Sequence, residues 1–345
     1  MSVVLLSRGA TVSAIHPLII FSGCFCIPAS MNEFELIKQY FTQECRDVVL
    51  GVGDDAAILT PSAGANLLVS VDTLVEGRHF FADVDPYSLG HKTLAVNLSD
   101  LAAMGARPRW ALLSLALPRV DPGWLGDFAR GFFALAAEHD VALVGGDTTR
   151  GPLTLSVTIM GEAPVGAALR RDAACVGDDI WVSGELGLAA LAVQYHDPVP
   201  GAVPAEVLGY CRARLDRPTP RVALGLALRG LAHACIDVSD GLMADLGHIL
   251  ERSGVGAEVW LDALPTHPWL GSRRASLAGL LAAGGDDYEL CFTAPVARRA
   301  AIEALAADCG LARIGRIEAG EGARLVDASG AVIQLGRCGF DHFQS

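Results

Sequence analysis

The sequence predicts an α/β (α+β) protein of two domains, a β-rich N-terminal unit followed by an α/β C-terminal unit. Its 345 residues suffice for two ordinary hydrophobic cores. With 52% hydrophobic and 19% charged residues, the composition is that of a globular chain. Short apolar runs bounded by Gly, Pro and Asp alternate with longer segments of helical periodicity, and a break at Ala163-Pro164-Val165-Gly166 divides that alternation in two.

Residues 1–30 differ from the rest. They carry Arg8, no acidic residue and a short apolar run from Pro17 to Pro28 interrupted by Ser22 and Gly23. The expectation is a disordered or mis-annotated extension rather than a signal peptide, with the chain proper opening at Met31. Asn32 then reads as the N-cap of a helix with Glu33 and Glu35 in its first turn. In the N-terminal domain, 31–165, residues 48–59 and 66–73 read as strands. A helix over 86–104 stops at Gly105, and a strand follows at 110–117. Next come a helix over 122–139, a buried strand at 141–144 and a strand at 153–162. In the C-terminal domain, 166–345, strands are expected at 179–183, 234–238, 257–261, 288–293 and 313–317. Helices are expected at 185–195, 203–215, 221–232 and 241–252. No run is long and apolar enough to span a membrane.

Charge and cysteine usage narrow the function. A formal charge of −13 argues against non-specific nucleic-acid binding. Lys38 and Lys92 are the only lysines, and neither sits in the Gly-Lys-Ser/Thr step of a Walker loop. The nine cysteines contain no Cys-x-x-Cys, so buried reduced thiols and a cytoplasmic location are expected.

Carboxylates recur in short glycine-flanked patches: Gly53-Asp54-Asp55, Ser70-Val71-Asp72, Ser99-Asp100, Gly145-Gly146-Asp147 and Asp237-Val238-Ser239-Asp240. Gathered in a fold they would repel one another, a state tolerable only with bound cations or with protonation. Oxygen ligands beside flexible glycine loops suit Mg2+ held with a phosphate substrate. On the helix over 86–104, Thr93, Asn97 and Asp100 fall at i, i+4 and i+7 and share a face. A solvated stripe would carry Lys, Glu or Arg, so partners within the protein are expected. Asp237 and Ser239, two apart on a strand, face one side together. The glycines before Asp147 permit close approach of phosphate to backbone N–H groups. For each patch taken alone, a turn or an N-cap remains the alternative.

Together the patches resemble the thiamine-monophosphate kinases. The resemblance rests on Gly51-Val-Gly-Asp-Asp-Ala, Val71-Asp-Thr-Leu-Val-Glu-Gly-Arg-His-Phe and His91-Lys-Thr-Leu-Ala-Val-Asn-Leu-Ser-Asp-Leu-Ala-Ala-Met-Gly-Ala. It continues through Gly145-Gly-Asp-Thr-Thr-Arg-Gly, Ile236-Asp-Val-Ser-Asp-Gly-Leu and Gly284-Gly-Asp-Asp-Tyr-Glu-Leu. It runs from about residue 31 to the C-terminus.

The resemblance implies the two-domain fold of aminoimidazole ribonucleotide synthetase, with an N-terminal dimerisation domain pairing in a homodimer. ATP and several Mg2+ ions would bind between the domains, with thiamine monophosphate as acceptor and without nucleic acid or membrane partners. It implies metal positions at Asp55, Ser70, Val71, Asp72, Asp100, Asp147, Asp237 and Asp240, of which Asp100, Asp147 and Asp240 would carry the catalysis. Gly146, Asp147, Arg171 and Ser239 match nucleotide contacts; His79, Asp286 and Phe340 match acceptor contacts. Three residues depart from the family pattern: Val71 stands where Thr is frequent, Asp286 where Glu is usual, and Phe340 where Tyr or Trp occurs. The expected reaction is direct in-line transfer from ATP. Another ATP-using member of the same fold, such as a selenophosphate synthetase, and a non-catalytic nucleotide-binding protein are the alternatives. The retained Asp set argues against the second.

Overall fold

The computed structural model describes residues 32–43, 48–306, 310–336 and 339–340. The expected extension over 1–30 lies outside the described residues. Helix α1 (Glu33–Leu36) opens with a reciprocal capping box: Asn32 accepts from the Glu35 N–H, and the Glu35 carboxylate accepts from the Asn32 N–H. It runs into a wider π-helical turn, Ile37–Phe41.

The first sheet holds β1 (Ala65–Val75), β2 (Arg107–Leu117), β3 (Ala142–Arg150) and β4 (Thr154–Pro164) in the order β1-β4-β2-β3. Only the β2–β3 pair is parallel. Helices α2 (Pro86–Ala103) and α3 (Pro122–Glu138) follow β1 and β2. Each starts on an aspartate N-cap, Asp85 or Asp121, with Pro in the first turn. Helix α2 is buried on nearly every side, so no amphipathic stripe marks its orientation. It packs on α3, on the first sheet and on elements of the second unit.

The second unit carries α4 (Leu188–Gln194), α5 (Ala205–Asp216), α6 (Val222–Ala227), α7 (Leu242–Ser253), α8 (Pro268–Gly271), α9 (Arg274–Ala283) and α10 (Arg299–Glu303). Its strands are β5 (Asp179–Ser183), β6 (Ala234–Val238), β7 (Gly256–Trp260), β8 (Glu289–Ala294), β9 (Leu311–Glu318) and β10 (Gly322–Val326). They form one sheet in the order β10-β7-β9-β5-β8-β6, antiparallel except for the β10–β7 pair. One apolar cluster joins α2 and the first sheet to Trp181, Cys235, Leu290 and Phe292, so the two units share a core at their junction.

One expected strand is absent. Residues 48–59 form a turn with isolated bridges, Leu50 to Ile58 and Val52 to Asp54. Gly51, Gly53 and the Asp54-Asp55 turn interrupt the extended run; Asp55 donates its N–H to Asp54 Oδ1 at 2.8 Å. Among the described residues no helix is long and apolar enough to cross a membrane.

Candidate active site

Helix α2 organises the site by presenting two polar stripes, one to each unit. Along the first, Thr93 Oγ1 donates to Leu89 O at 2.7 Å and Asn97 Nδ2 to Thr93 O at 3.0 Å. Asn97 Oδ1 accepts from the Asp72 N–H at 3.1 Å, and Asp100 Oδ2 accepts from Ser70 Oγ at 2.5 Å. Along the second, at i and i+7, Lys92 and Ser99 reach the C-terminal unit. Ser99 Oγ donates to Asp237 Oδ2 at 2.8 Å, and Lys92 Nζ lies 3.3 Å from Asp286 Oδ2. Thr93, Asn97 and Ser99 are buried, so these stripes are internal, each group satisfied by a partner.

The result is a nest of aspartates at the junction. Asp72, Asp100, Asp237, Ser239 and Asp240 line one cavity of about 740 Å³, together with His79, Asp286 and Phe340. Asp100 and Asp237 also line a neighbouring cavity of about 560 Å³, with Ser70, Arg170, Arg171 and Arg252. These two carboxylates are thus a shared wall, with an arginine-rich chamber on one side and the His79 chamber on the other.

Burial and mutual repulsion shape the charge of this nest. Burial, then the charges of Asp100 and Asp240, push Asp72 up to about 7. Asp237 is raised by burial and by Asp100, against the Ser99 hydrogen bond. Asp100 is raised by burial, against the pull of Ser70 and the Arg171 guanidinium. The next turn is tied down by a carboxylate that sequence reasoning missed. Asp245 Oδ2 accepts from the N–H groups of Ser239, Asp240 and Gly241 at 3.0, 3.1 and 3.0 Å. Burial and Asp240 push it up to about 7 against those donors. In sequence it resembles any acidic residue in a helix first turn.

On the His79 side, His79 Nδ1 accepts from the Val75 N–H at 3.0 Å. Asp286 and Tyr288 adopt φ of 67° and 50°, a conformation costing non-glycine residues about 1–3 kcal/mol each. Their N–H groups are held by Ser239 O and Val238 O, both at 2.8 Å. Tyr288 Oη donates to Asp286 Oδ1 at 3.1 Å. Neither Lys92 nor Tyr288 is among the site residues expected from the sequence, although a lysine within an apolar helix is a legible signal.

Not every expected site residue joins this nest. Asp55, Gly146 and Asp147 line a third cavity of about 890 Å³, between the 51–57 turn and the first sheet. Topology separates them. Asp147 pairs with Ser114, Ser114 with Ser156, and Ser156 with Thr73, which puts Asp147 and β1 at opposite edges of the sheet. Along β1, Asp72 and Ser70 turn toward α2, whereas Val71 and Thr73 alternate onto the open face. The full set of carboxylates therefore does not converge within one chain. Gly146 owes its identity to crowding: a Cβ there would lie 1.8 Å from Leu113 O. Of the expected nucleotide contacts, Arg171 lines the 560 Å³ cavity, Ser239 the 740 Å³ cavity and Gly146 and Asp147 the 890 Å³ one. Arg170 forms a surface pair with Asp172, its Nε at 2.8 Å from Oδ1. Away from the nest, Cys175, Asp178 and His233 cluster; the imidazole Nδ1, 2.8 Å from Asp178 Oδ2, covers that buried carboxylate.

Comparison with known proteins agrees with this architecture. Residues 53–163 match the N-terminal domain of AIR synthase related protein, and residues 175–328 match its C-terminal domain. The chain is 45% identical over 323 residues to the thiamine-monophosphate kinase of Salmonella typhimurium, covering 90% of this chain and 98% of that one. The crystal structure of thiamine-monophosphate kinase from Stenotrophomonas maltophilia is 52% identical, with a TM-score of 0.79 over 86% of this chain and 97% of that one. AaThiL complexed with AMPPCP and TMP is 30% identical, with a TM-score of 0.71 over 82% of this chain and 89% of that one.

Proposed function

The chain belongs to the thiamine-monophosphate kinase family, and from that membership we propose that it transfers the γ-phosphoryl group of ATP to thiamine monophosphate, giving ADP and thiamine diphosphate. The observation that carries this reading is the pair of chambers divided by Asp100 and Asp237. The arginine-rich chamber suits the donor triphosphate, with Arg171 on its phosphates. The other suits the acceptor: His79 and Asp286 offer polar contacts and Phe340 a ring face for a flat cationic heterocycle.

The acceptor oxygen belongs to a phosphate already ionised at neutral pH, so no strong general base is needed. The difficulty is bringing two anions together; unit charges ~4 Å apart repel by ~4 kcal/mol at an effective dielectric of ~20. The donor set fits a hard divalent cation. Its ligands are oxygens, and the charges acting on Asp72 are those of Asp100 and Asp240, a local excess of negative charge. Asp72, Asp100, Asp237 and Asp240, with Ser70 and the Val71 carbonyl, would hold Mg2+. When bound it supplies neutralisation of phosphate charge. The chain's own residues align donor and acceptor on either side of the shared wall for direct in-line transfer.

Asp55 and Asp147 enter this site from a second copy. The open face of the first sheet exposes Leu67, Val69 and Val71 by 45%, 59% and 59%, which supports a homodimer through that face. A cytoplasmic location suits the free thiols of Cys175, Cys211, Cys235 and Cys291.

The test is a coupled assay with purified protein, ATP, Mg2+ and thiamine monophosphate. Thiamine diphosphate should form, with free thiamine a poor acceptor; no product would reject the reading. Chirally labelled γ-phosphate should invert once, and retention would rule out direct transfer.

A further inference from the structure

Lys92 is one of two lysines in the chain, and it is 2% exposed. Lysine is almost never buried to this degree without a partner that repays its lost hydration. Its ammonium donates to Asp286 Oδ2 at 3.3 Å and to the His79 carbonyl at 3.2 Å. These two partners come from different units of the fold. His79 lies in the turn after β1, and Asp286 in the loop before β8. Both are the residues assigned above to the acceptor. The carboxyl of Asp216 also feels the Lys92 charge.

We propose that Lys92 is a positioning residue for the acceptor, a single buried ammonium that clamps the two acceptor-holding segments at a set spacing across the domain junction. This rests on reading the 740 Å³ cavity as the acceptor chamber. The carboxylate of Asp286 is oriented from both sides, Oδ2 by Lys92 and Oδ1 by the Tyr288 hydroxyl. Its backbone at φ 67° is anchored to Ser239 O, so the clamp also ties the acceptor loop to the turn that carries Asp240. Pairing with Lys92 has a second effect. It offsets the negative charge of Asp286, leaving a hydrogen-bond acceptor that does not repel the anionic phosphate of the substrate. The shorter Asp at this position stays within reach of the ammonium.

The test is Lys92→Met, which keeps the length of the side chain and removes its charge. The expected result is a KM for thiamine monophosphate raised about tenfold or more, with KM for ATP unchanged and kcat much less affected. Lys92→Arg should recover part of the loss. Lys92→Met combined with Asp286→Asn should lose less than the sum of the two single changes. An unchanged acceptor KM, or an equal rise for ATP accompanied by a lowered melting temperature, would overturn the proposal. Hydrogen exchange supplies a readout independent of turnover: in Lys92→Met, residues 76–81 and 284–289 should both exchange faster. If Lys92→Met does not fold, Lys92→Gln, which also removes the charge but keeps a polar end, is measured the same way. Unaltered exchange in both segments would sink the clamp even if the wild-type protein turned over a different acceptor. Absence of thiamine-monophosphate turnover in wild type would instead defeat the function reading.

Discussion

Asp72 shows what burial beside other carboxylates does to the charge of one of them. Its ionised form is disfavoured in the folded chain, where burial and two neighbouring aspartates raise it to about 7. In the unfolded chain it titrates near the ordinary value of about 3.9. A folded pKa raised above the unfolded one means that the native state holds the proton more tightly. The stabilisation is complete below pH ~4 and is lost as pH rises through ~7. Asp245, at about 7, acts in the same direction. The metal-free protein should therefore lose melting temperature between pH 5 and pH 8, and Mg2+ should restore more of it at pH 8 than at pH 5. A flat profile across that range would argue that the carboxylates are not mutually destabilising. By the same logic Asp100→Asn should melt no lower than wild type without metal, because it removes one repelling charge, yet turnover should fall by at least about a hundredfold. Asp147→Asn should lose turnover similarly while remaining folded. Asp286→Ala should act mainly on KM for thiamine monophosphate.

Among the elements, α2 has the strictest demands. It crosses α3 so closely that side chains are excluded at two places. A Cβ on Gly90 would lie 2.0 Å from Phe128 O, and one on Gly131 would lie 1.9 Å from Tyr87 O. Both neighbours are backbone, so neither can swing aside. Gly131→Ala, favourable for an isolated helix by about 1 kcal/mol, should instead destabilise the protein by more than about 2 kcal/mol and lower activity by displacing the α2 stripes. Equilibrium denaturation measures this directly. The ends of α2 and α3 were legible in the sequence because Asp85-Pro86, Asp121-Pro122 and Gly105 act through local backbone chemistry. Strands β5 and β6 are legible because each carries a short apolar run, Ile180–Val182 and Ala234–Ile236, and every residue in them is buried. The 48–59 turn was misread as a strand because its apolar residues are flanked by glycines that bend it. Strand β10 was missed because Gly322–Val326 is a short edge strand whose pairing partner, β7, lies some sixty residues away. Helix α9 escaped notice because Leu277 leaves helical geometry inside it.

For the whole molecule, the question is where the second half of the carboxylate set comes from. Asp72 and Asp147 occupy opposite edges of one sheet. If a partner delivers Asp147, two inactive chains should repair each other. Mixing Asp72→Asn and Asp147→Asn chains under conditions of subunit exchange should restore activity toward about a quarter of wild type, because half of the dimers are hybrids and each hybrid has one intact site. No recovery would place all ligands within one chain. Val69→Asp on the open face should shift the molecule toward monomer in light scattering and abolish turnover with it.

The sequence by itself determined the order of most elements, the family and the identity of the acidic, glycine and histidine positions, because these are written in local spacing and residue type. It also indicated that the Thr93, Asn97 and Asp100 stripe needed partners. Only the tertiary structure decided which carboxylates share a space. It put Asp72, Asp100, Asp237 and Asp240 together and left Asp55 and Asp147 across the sheet. It also disclosed Lys92 and Asp245 as the groups that hold the surrounding turns. The reason is physical: strand order, alternation of side chains across a sheet and burial of a helix on all sides arise from contacts between residues distant in the chain, and no local pattern encodes them.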